Sequence, residues 1–124
     1  MPDEFNRVVL VEDDADFAEV YRLRLEQDGY QVTVSWDGND GLDLIRRRNP
    51  DLVLLDLHLP TMDGETVVRE IRSDPATTAI PVVVVSGDAN PATKRRLREA
   101  GATGYLEKPF NVQAFLDAIN RLLQ

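Results

Sequence analysis

Five side chains with acid, hydroxyl or ammonium groups stand at the ends of short apolar runs of the chain. They are Glu12, Asp13, Asp56, Ser86 and Lys108. Carboxylates can hold a hard divalent cation, and a carboxylate beside such a cation can attack phosphorus to form an acyl phosphate. A hydroxyl and an ammonium group can stabilise the charge on transferred phosphoryl oxygens. These residue types are therefore suited to metal-assisted phosphoryl transfer, if the fold brings them together.

Each of these residues also has an ordinary structural explanation. The carboxylates could cap helices, Lys108 could be a surface lysine, and Ser86 could be a turn serine at a strand end. Three converging carboxylates exceed what capping requires, and they would repel one another without a cation or raised pKa values. The chain has no cysteine and a single histidine, so the ligands would be oxygen atoms, which favours Mg²⁺ or Mn²⁺.

Two kinds of segment alternate along the chain. Continuous Val/Leu runs are typical of parallel strands that are buried on both faces. The strands are predicted at 8–11, 32–34, 52–55, 82–85 and, more weakly, 104–106. The segments between them, and the segment after the last, have the apolar spacing of amphipathic helices.

The helix boundaries follow from capping and breaking residues. The first helix should begin at Asp14 or Asp16, end at Gly29, and bury one face. The residues of that face are Phe17, Val20, Tyr21 and Leu25. The other predicted boundaries are Asn49-Pro50 for the end of the second helix, Asp63-Gly64 for the start of the third, and Asn90-Pro91 for the start of the fourth. The apolar stripe of the fifth helix comprises Val112, Phe115, Leu116, Ile119, Leu122 and Leu123.

Five β-α units with short connections predict a doubly wound α/β fold. The sheet should be parallel, with five strands in the flavodoxin-like order 2-1-3-4-5. Strands one and three are neighbours in that order, so Glu12, Asp13 and Asp56 should converge at the carboxyl ends of the strands. The 124 residues predict a single domain over 1–124 with its core at 7–123, and a barrel of eight such units would need about twice the length.

Composition restricts the possible partners and locations. The 22 acidic and 14 basic side chains give a net charge of -8, which argues against direct nucleic-acid binding. The first six residues lack the pattern of a signal peptide, and no apolar run approaches the roughly 20 residues that span a bilayer. We expect a cytoplasmic protein that does not contact membranes.

Five motifs, taken in order, resemble the response-regulator receiver domains of two-component signalling, the CheY-like superfamily. The resemblance extends from Val8 to about Leu123. The motifs are VLVEDD at 9–14, DLVLLDLHLP at 51–60, MDG at 62–64, IPVVVVSG at 80–87 and AGATGYLEKPF at 100–110. A single motif of this kind has little weight, but all five with compatible spacing are specific.

The resemblance implies a role for each site residue. Asp56 corresponds to the phosphoacceptor. Asp13 corresponds to a direct metal ligand, Glu12 to a ligand that acts mostly through water, and the backbone carbonyl of His58 to a third protein ligand. Lys108 corresponds to the cation that pairs with the phosphoryl group.

The resemblance also implies a conformational switch. Ser86 would move toward the phosphoryl group and Tyr105 would rotate into the space behind it, changing the surface formed by the fourth helix, fifth strand and fifth helix. The Lys108–Pro109 peptide bond is expected to be cis. The implied partners are a histidine kinase or a histidine phosphotransfer protein upstream and an effector domain or protein downstream. Such a domain speeds its own phosphorylation and dephosphorylation but is not an enzyme in the usual sense.

The sequence differs in a few places from the usual pattern of the family. The first acid is Glu12 and the switch hydroxyl is Ser86, both acceptable variants. The segment 102–104 lacks the acidic pair of the DNA-binding winged-helix subclass, which puts that subclass's dimer interface in doubt. The segment 86–89 looks more like receivers that stand alone or are attached to hybrid kinases.

We expect Trp36 to be a surface packing residue, and Phe115 and Leu116 to belong to the core.

Two regions near the site could modulate it. For His58 we favour the backbone role over a phosphohistidine role, and we hypothesise that His58 and Asp88 flank the hydrolytic water and tune the phosphate lifetime. The fourth helix is basic and has few apolar anchors, so it is either a solvated face or a loosely packed helix that repositions. Its basic residues are Lys94, Arg95, Arg96 and Arg98, and its anchors are Ala92, Leu97 and Ala100.

Three other functions fit the sequence less well than the phosphorylated switch. An unphosphorylated pseudo-receiver that only binds partners should have lost its acids or its lysine, and both are present. A haloacid-dehalogenase-type phosphatase needs a second acid two residues after the nucleophile, where this chain has His58. A flavin carrier needs a phosphate-binding loop after the first strand, where Glu12, Asp13 and Asp14 would repel the flavin phosphate.

Overall fold

The computed structural model describes residues 7–88, 90–108 and 111–122, apart from the side chains of Val112 and Leu122. In that part of the chain, strands and helices alternate as predicted. The elements are β1 Arg7–Val11, α1 Ala15–Gln27, β2 Gln31–Ser35, α2 Gly38–Arg48, β3 Leu52–Asp56, α3 Gly64–Ser73, β4 Val82–Ser86, α4 Pro91–Ala100, β5 Gly104–Glu107 and α5 Val112–Leu122.

The five strands form one parallel sheet in the order β2-β1-β3-β4-β5, which confirms the predicted topology. Val8 pairs with Leu52 and Val11 with Leu55, so β1 and β3 end side by side. Every residue of β3 and β4 is buried, as expected for central strands covered by helices on both faces. All five strands point the same way, so their following residues meet at one rim of the sheet.

Two apolar clusters cover the two faces of the sheet. One contains side chains of α2, α3 and α4, including Ile45, Ile71 and Leu97. The other contains side chains of α1 and α5, including Leu25 and Phe115. Burial of these faces is the main driving force that holds each helix against the sheet. Phe115 and Leu116 are buried, so the prediction that they belong to the core is confirmed.

Capping residues begin the first four helices. Asp14, rather than Asp16, caps α1, and its carboxylate accepts the Phe17 N–H at 3.1 Å. Asp63 caps α3, and the predicted start of α4 at Asn90-Pro91 is confirmed. The start of α3 lies against the end of β3, where a Cβ on Gly64 would lie 2.5 Å from the Asp56 backbone oxygen. Only glycine permits this approach.

Two predicted burials are wrong. Val20 is 54% exposed, because α1 turns Ala18, Tyr21 and Leu25 toward the sheet instead. Ala92 is also exposed, and Thr93 takes its place as the buried residue in the first turn of α4. The remaining predicted stripe residues of α5, namely Val112, Leu122 and Leu123, have side chains outside the described part of the chain.

Candidate functional site

Three carboxylates converge at the carboxyl ends of β1 and β3, as the topology predicts. Val11 pairs with Leu55, so the residues that follow each of them, Glu12 and Asp56, lie next to each other at the rim. Ligand oxygens of Glu12, Asp13 and Asp56 all lie within 4.8 Å of one another. Glu12 is 1% exposed and Asp56 is 8% exposed. Asp13 is exposed, so the group opens to solvent on one side only.

Lys108 brings positive charge to this group from the end of β5. Its Nζ lies 2.7 Å from Glu12 Oε1 and 3.7 Å from Asp56 Oδ1. The lysine backbone is fixed as well, since its N–H donates to the Ser86 carbonyl at 2.8 Å. Lys108 therefore bridges two buried carboxylates.

The electrostatic balance of the site opposes ionisation of its buried acids. Burial raises the pKa of Glu12, and the hydrogen bond from Lys108 only partly offsets it. Burial also raises the pKa of Asp56, the Asp13 charge adds to the effect, and Lys108 opposes it. Burial acts to lower the pKa of Lys108, but the hydrogen bond to Glu12 and the charge of Asp56 outweigh it and raise that pKa. One ammonium group does not neutralise three carboxylates, so the group is suited to a cation.

Ser86 and Tyr105 meet through the loop that joins β4 to α4. The buried Ser86 hydroxyl accepts the Asp88 N–H at 3.1 Å. The Tyr105 hydroxyl donates to the Asp88 carbonyl. The Asp88 carboxylate accepts from the Asn90 N–H at 2.8 Å and from the Thr93 hydroxyl at 3.1 Å. The backbone of Asp88 thus links the strand-end serine to the aromatic ring on β5.

His58 and Asp88 line a small cleft of about 110 Å³ beside Asp56. Arg96 of α4 also lines it and donates to Glu65 of α3 at 2.6 Å. The amide of Asn90 is the largest cause of a lowered pKa at Asp88, with the Thr93 hydroxyl adding to it. Asp88 therefore borders the cleft and also accepts hydrogen bonds from residues at the start of α4.

The structure brings together Glu12, Asp13, Asp56 and Lys108, and it joins Ser86 of β4 and Tyr105 of β5 to the backbone of Asp88. Pro109 lies outside the described residues, so the cis peptide bond stays a prediction. The contribution of the His58 carbonyl to a metal site also stays a prediction. The sequence analysis missed Thr93 as a hydrogen-bond donor to Asp88. It assigned Phe17 only to the apolar face of α1, whereas the Lys108 Nζ lies 4.0 Å from the centroid of the Phe17 ring. The sequence feature that could have indicated this contact is the position of Phe17, four residues after Asp13 and thus about one helical turn from the acids.

The sequence profile described as "Response regulator receiver domain" matches residues 8–120. The chain belongs to the response-regulator receiver family. It is 36% identical over 118 residues to the "DNA-binding dual master transcriptional regulator RpaA" of Synechocystis. That match covers 95% of this chain and 49% of RpaA, so the chain spans about half the length of this curated relative.

Solved receiver structures have the same fold. A chemotaxis protein CheY4 from Vibrio cholerae superposes with a TM-score of 0.90 at 27% identity, covering 96% of this chain and 99% of that one. A putative response regulator from Chloroflexus aurantiacus gives a TM-score of 0.90 at 31% identity, covering 95% and 97%. The chain is therefore a response-regulator receiver domain of two-component signalling. Within the described residues, no helix is both long and apolar enough to cross a membrane.

Proposed function

We propose that this receiver accepts a phosphoryl group on Asp56 from a phosphohistidine donor, with Mg²⁺ or Mn²⁺ bound beside it. The observation that carries this proposal is the convergence of three carboxylates within 4.8 Å, with Lys108 reaching both Glu12 and Asp56. A structural cluster of capping acids would not need two of its members to be buried.

Asp13 and Asp56 would bind the ion directly, with Glu12 acting mostly through water and the His58 carbonyl completing the set. When bound, the ion supplies positive charge that offsets the carboxylates and the phosphoryl oxygens. The oxygen-only donors fit Mg²⁺ and Mn²⁺ better than softer metals.

In the transfer, a carboxylate oxygen of Asp56 forms a bond to phosphorus as the phosphorus–nitrogen bond of the phosphohistidine breaks. The electron pair of that bond stays on the donor nitrogen, and because the other ring nitrogen of the donor carries a proton, the ring leaves as neutral imidazole. Lys108 would turn from Glu12 toward the phosphoryl oxygens, and the Ser86 hydroxyl would donate to another of them. The protein would add the phosphoryl group to its own aspartate and later lose it by hydrolysis, so we propose a switch and not an enzyme in the usual sense.

Phosphorylation would be read out through the loop between β4 and α4. If the Ser86 hydroxyl turns toward the phosphoryl group, it no longer accepts the Asp88 N–H, and the loop that also binds Tyr105 is released. The surface formed by α4, β5 and α5 would then shift between two populated states. His58 and Asp88 border the cleft from which water would attack, and we propose that they tune the lifetime of the acyl phosphate.

The partners follow from this chemistry. A histidine kinase or a histidine phosphotransfer protein would supply the phosphoryl group, and an effector domain or protein would receive the signal. RpaA is described as DNA-binding. For the present domain, whose net charge is -8, we propose no direct contact with nucleic acid or membrane, and a cytoplasmic location.

Incubation with acetyl phosphate and Mg²⁺, followed by intact-mass measurement, tests the proposal. The wild-type protein should gain one phosphoryl mass, and Asp56→Asn should gain none. Asp43→Asn, which changes an exposed aspartate on α2, is the matched control and should be phosphorylated normally. An unmodified wild-type protein would favour the pseudo-receiver alternative.

A further inference from the structure

The third contact of Lys108 is an aromatic ring. Its Nζ lies 4.0 Å from the centroid of the Phe17 ring, while Glu12 and Asp56 supply the two carboxylate contacts. The Lys108 side chain is 22% exposed, so the ammonium has lost much of its water. An ammonium group over an aromatic face is attracted by the ring quadrupole, most strongly where water is excluded.

Phe17 is fixed relative to the acids by the turn that begins α1. The Asp14 N–H donates to Glu12 Oε2 at 3.1 Å, and the Asp14 carboxylate accepts the Phe17 N–H at 3.1 Å. Glu12 therefore contacts Lys108 through one oxygen and the residue that caps the Phe17 helix through the other. The ring and the carboxylate that share Lys108 are held by one short segment.

The Phe17 ring is also supported from behind. Its centroid lies 4.3 Å from that of Tyr21, and Tyr21 packs edge-on against Phe115 with centroids 4.9 Å apart. Tyr21 and Phe115 are both buried. A ring that is packed in this way presents one face in a defined place, instead of moving over the surface.

We propose that Phe17 is a positioning residue for Lys108 in phosphoryl transfer. This inference rests on the proposed function of Asp56. In the proposed transfer, Lys108 must exchange a carboxylate partner for phosphoryl oxygens. The face of an aromatic ring stabilises the ammonium group without fixing its direction and without adding a charge that competes with the phosphoryl oxygens. The side chain can therefore swing toward Asp56 while it stays out of bulk water.

Three variants separate positioning from packing. Phe17→Leu keeps an apolar side chain but removes the ring face, and Phe17→Tyr keeps the face. Tyr30→Leu is the matched control, because it also replaces a buried aromatic ring by leucine on the same side of the sheet, but next to the start of β2, at the end of the sheet opposite to Lys108. Rates of phosphorylation by acetyl phosphate and Mg²⁺ are measured for each folded variant. Phe17→Leu should be about three- to tenfold slower, and the other two should stay within about twofold of wild type.

An NMR measurement tests the contact itself, without any phosphorylation. The chain has two lysines, Lys94 and Lys108, so lysine labelling gives a simple spectrum. The ε-CH₂ protons of Lys108 should be shifted upfield by the ring in wild type and Phe17→Tyr, and this shift should be lost in Phe17→Leu.

Each failure has a different meaning. A Lys108 signal that is unchanged in Phe17→Leu, or a normal phosphorylation rate in that variant, would overturn the positioning role. So would a Tyr30→Leu rate as low as that of Phe17→Leu. If the wild-type protein takes up no phosphoryl group, the proposed function fails, whereas an upfield Lys108 signal would still establish the contact.

Discussion

Asp56 lies between two sides of the rim that are built differently. On the α1 side, Glu12 is buried, Lys108 is held between two acids, and aromatic rings pack behind them. On the α4 side, the loop around Asp88 is held by single hydrogen bonds from side chains and backbone amides, and its charged contacts are exposed. A site that binds charge with a defined geometry needs buried and closely packed side chains. A region that changes shape needs fewer buried contacts and single hydrogen bonds that can break.

Two lysine–glutamate pairs show the difference between the α1 side and the α4 side most clearly. Lys108 pairs with the buried Glu12 on the α1 side, whereas Lys94 pairs with the exposed Glu107 on the α4 side. Lys108→Met should slow phosphorylation by acetyl phosphate about 100-fold, because it removes the charge that we propose stabilises the transferring phosphoryl group. Lys94→Met should leave that rate within about twofold. Equal effects of the two changes would remove the distinction between the sides.

The buried acids predict how the stability of the metal-free protein depends on pH. The folded state favours the protonated forms of Glu12 and Asp56, whose pKa values are raised mainly by burial. Stability is therefore lost as pH rises from the ordinary carboxyl range through the raised pKa values. Asp56→Asn removes one of these groups and should raise the Tm in EDTA at pH 8 by about 5 °C.

Two further conditions act as controls on that result. Toward pH 4 the gain from Asp56→Asn should shrink, because a larger fraction of the wild-type carboxyl is then protonated. Added Mg²⁺ should stabilise the wild-type protein more than the variant. Thermal unfolding followed by circular dichroism gives all of these values, and a variant that is less stable than wild type in EDTA at pH 8 would contradict the account.

The cleft beside Asp56 should affect hydrolysis more than phosphorylation. Replacing both His58 and Asp88, as His58→Ala with Asp88→Asn, should slow loss of the phosphoryl group by about three- to tenfold, since this removes the two groups that we propose flank the attacking water. The asparagine keeps an oxygen that can accept the Asn90 N–H. The rate is followed by intact mass after the phosphoryl donor is removed. An unchanged rate would exclude the tuning role.

The smallest effect is expected at Tyr105. Tyr105→Phe removes the hydroxyl that donates to the Asp88 carbonyl and keeps the ring. Stability should fall by about 1 kcal/mol or less, and the phosphorylation rate should stay within about twofold. The amide shifts that phosphorylation causes in α4 should become smaller in NMR spectra. Full-sized shifts would show that the loop does not couple Tyr105 to the site.

Sequence patterns predicted the sheet order and the convergence of the acids because both follow from local features. Val/Leu runs of strand length determine β1, β3 and β4, and the order of β-α units then places Glu12 next to Asp56. The caps at Asp63 and Asn90 were also predictable, since each precedes an apolar helical pattern. The roles of individual site residues, and the extent of the single domain, stay predictions.

Residues whose environment depends on tertiary packing were harder to predict. The helical spacing placed Val20 on the buried face of α1, but the face that packs against the sheet contains Ala18, Tyr21 and Leu25 instead. The α4 helix was expected either to be solvated or to pack loosely. Its Leu97 is fully buried, while Arg96 and Lys94 are joined to Glu65 and Glu107 by exposed ion pairs. Such long-range partners have no signature in the local sequence.

The central claim is that Glu12, Asp13 and Asp56 bind one divalent ion, and paramagnetic Mn²⁺ tests it most directly. Substoichiometric Mn²⁺ should broaden the amide signals of residues 12–14 and 56–58 first, and it should leave those of 49–51, at the opposite end of the sheet, sharp. Asp13→Asn should weaken this pattern. Broadening that is absent, or that begins elsewhere on the acidic surface, would contradict the account.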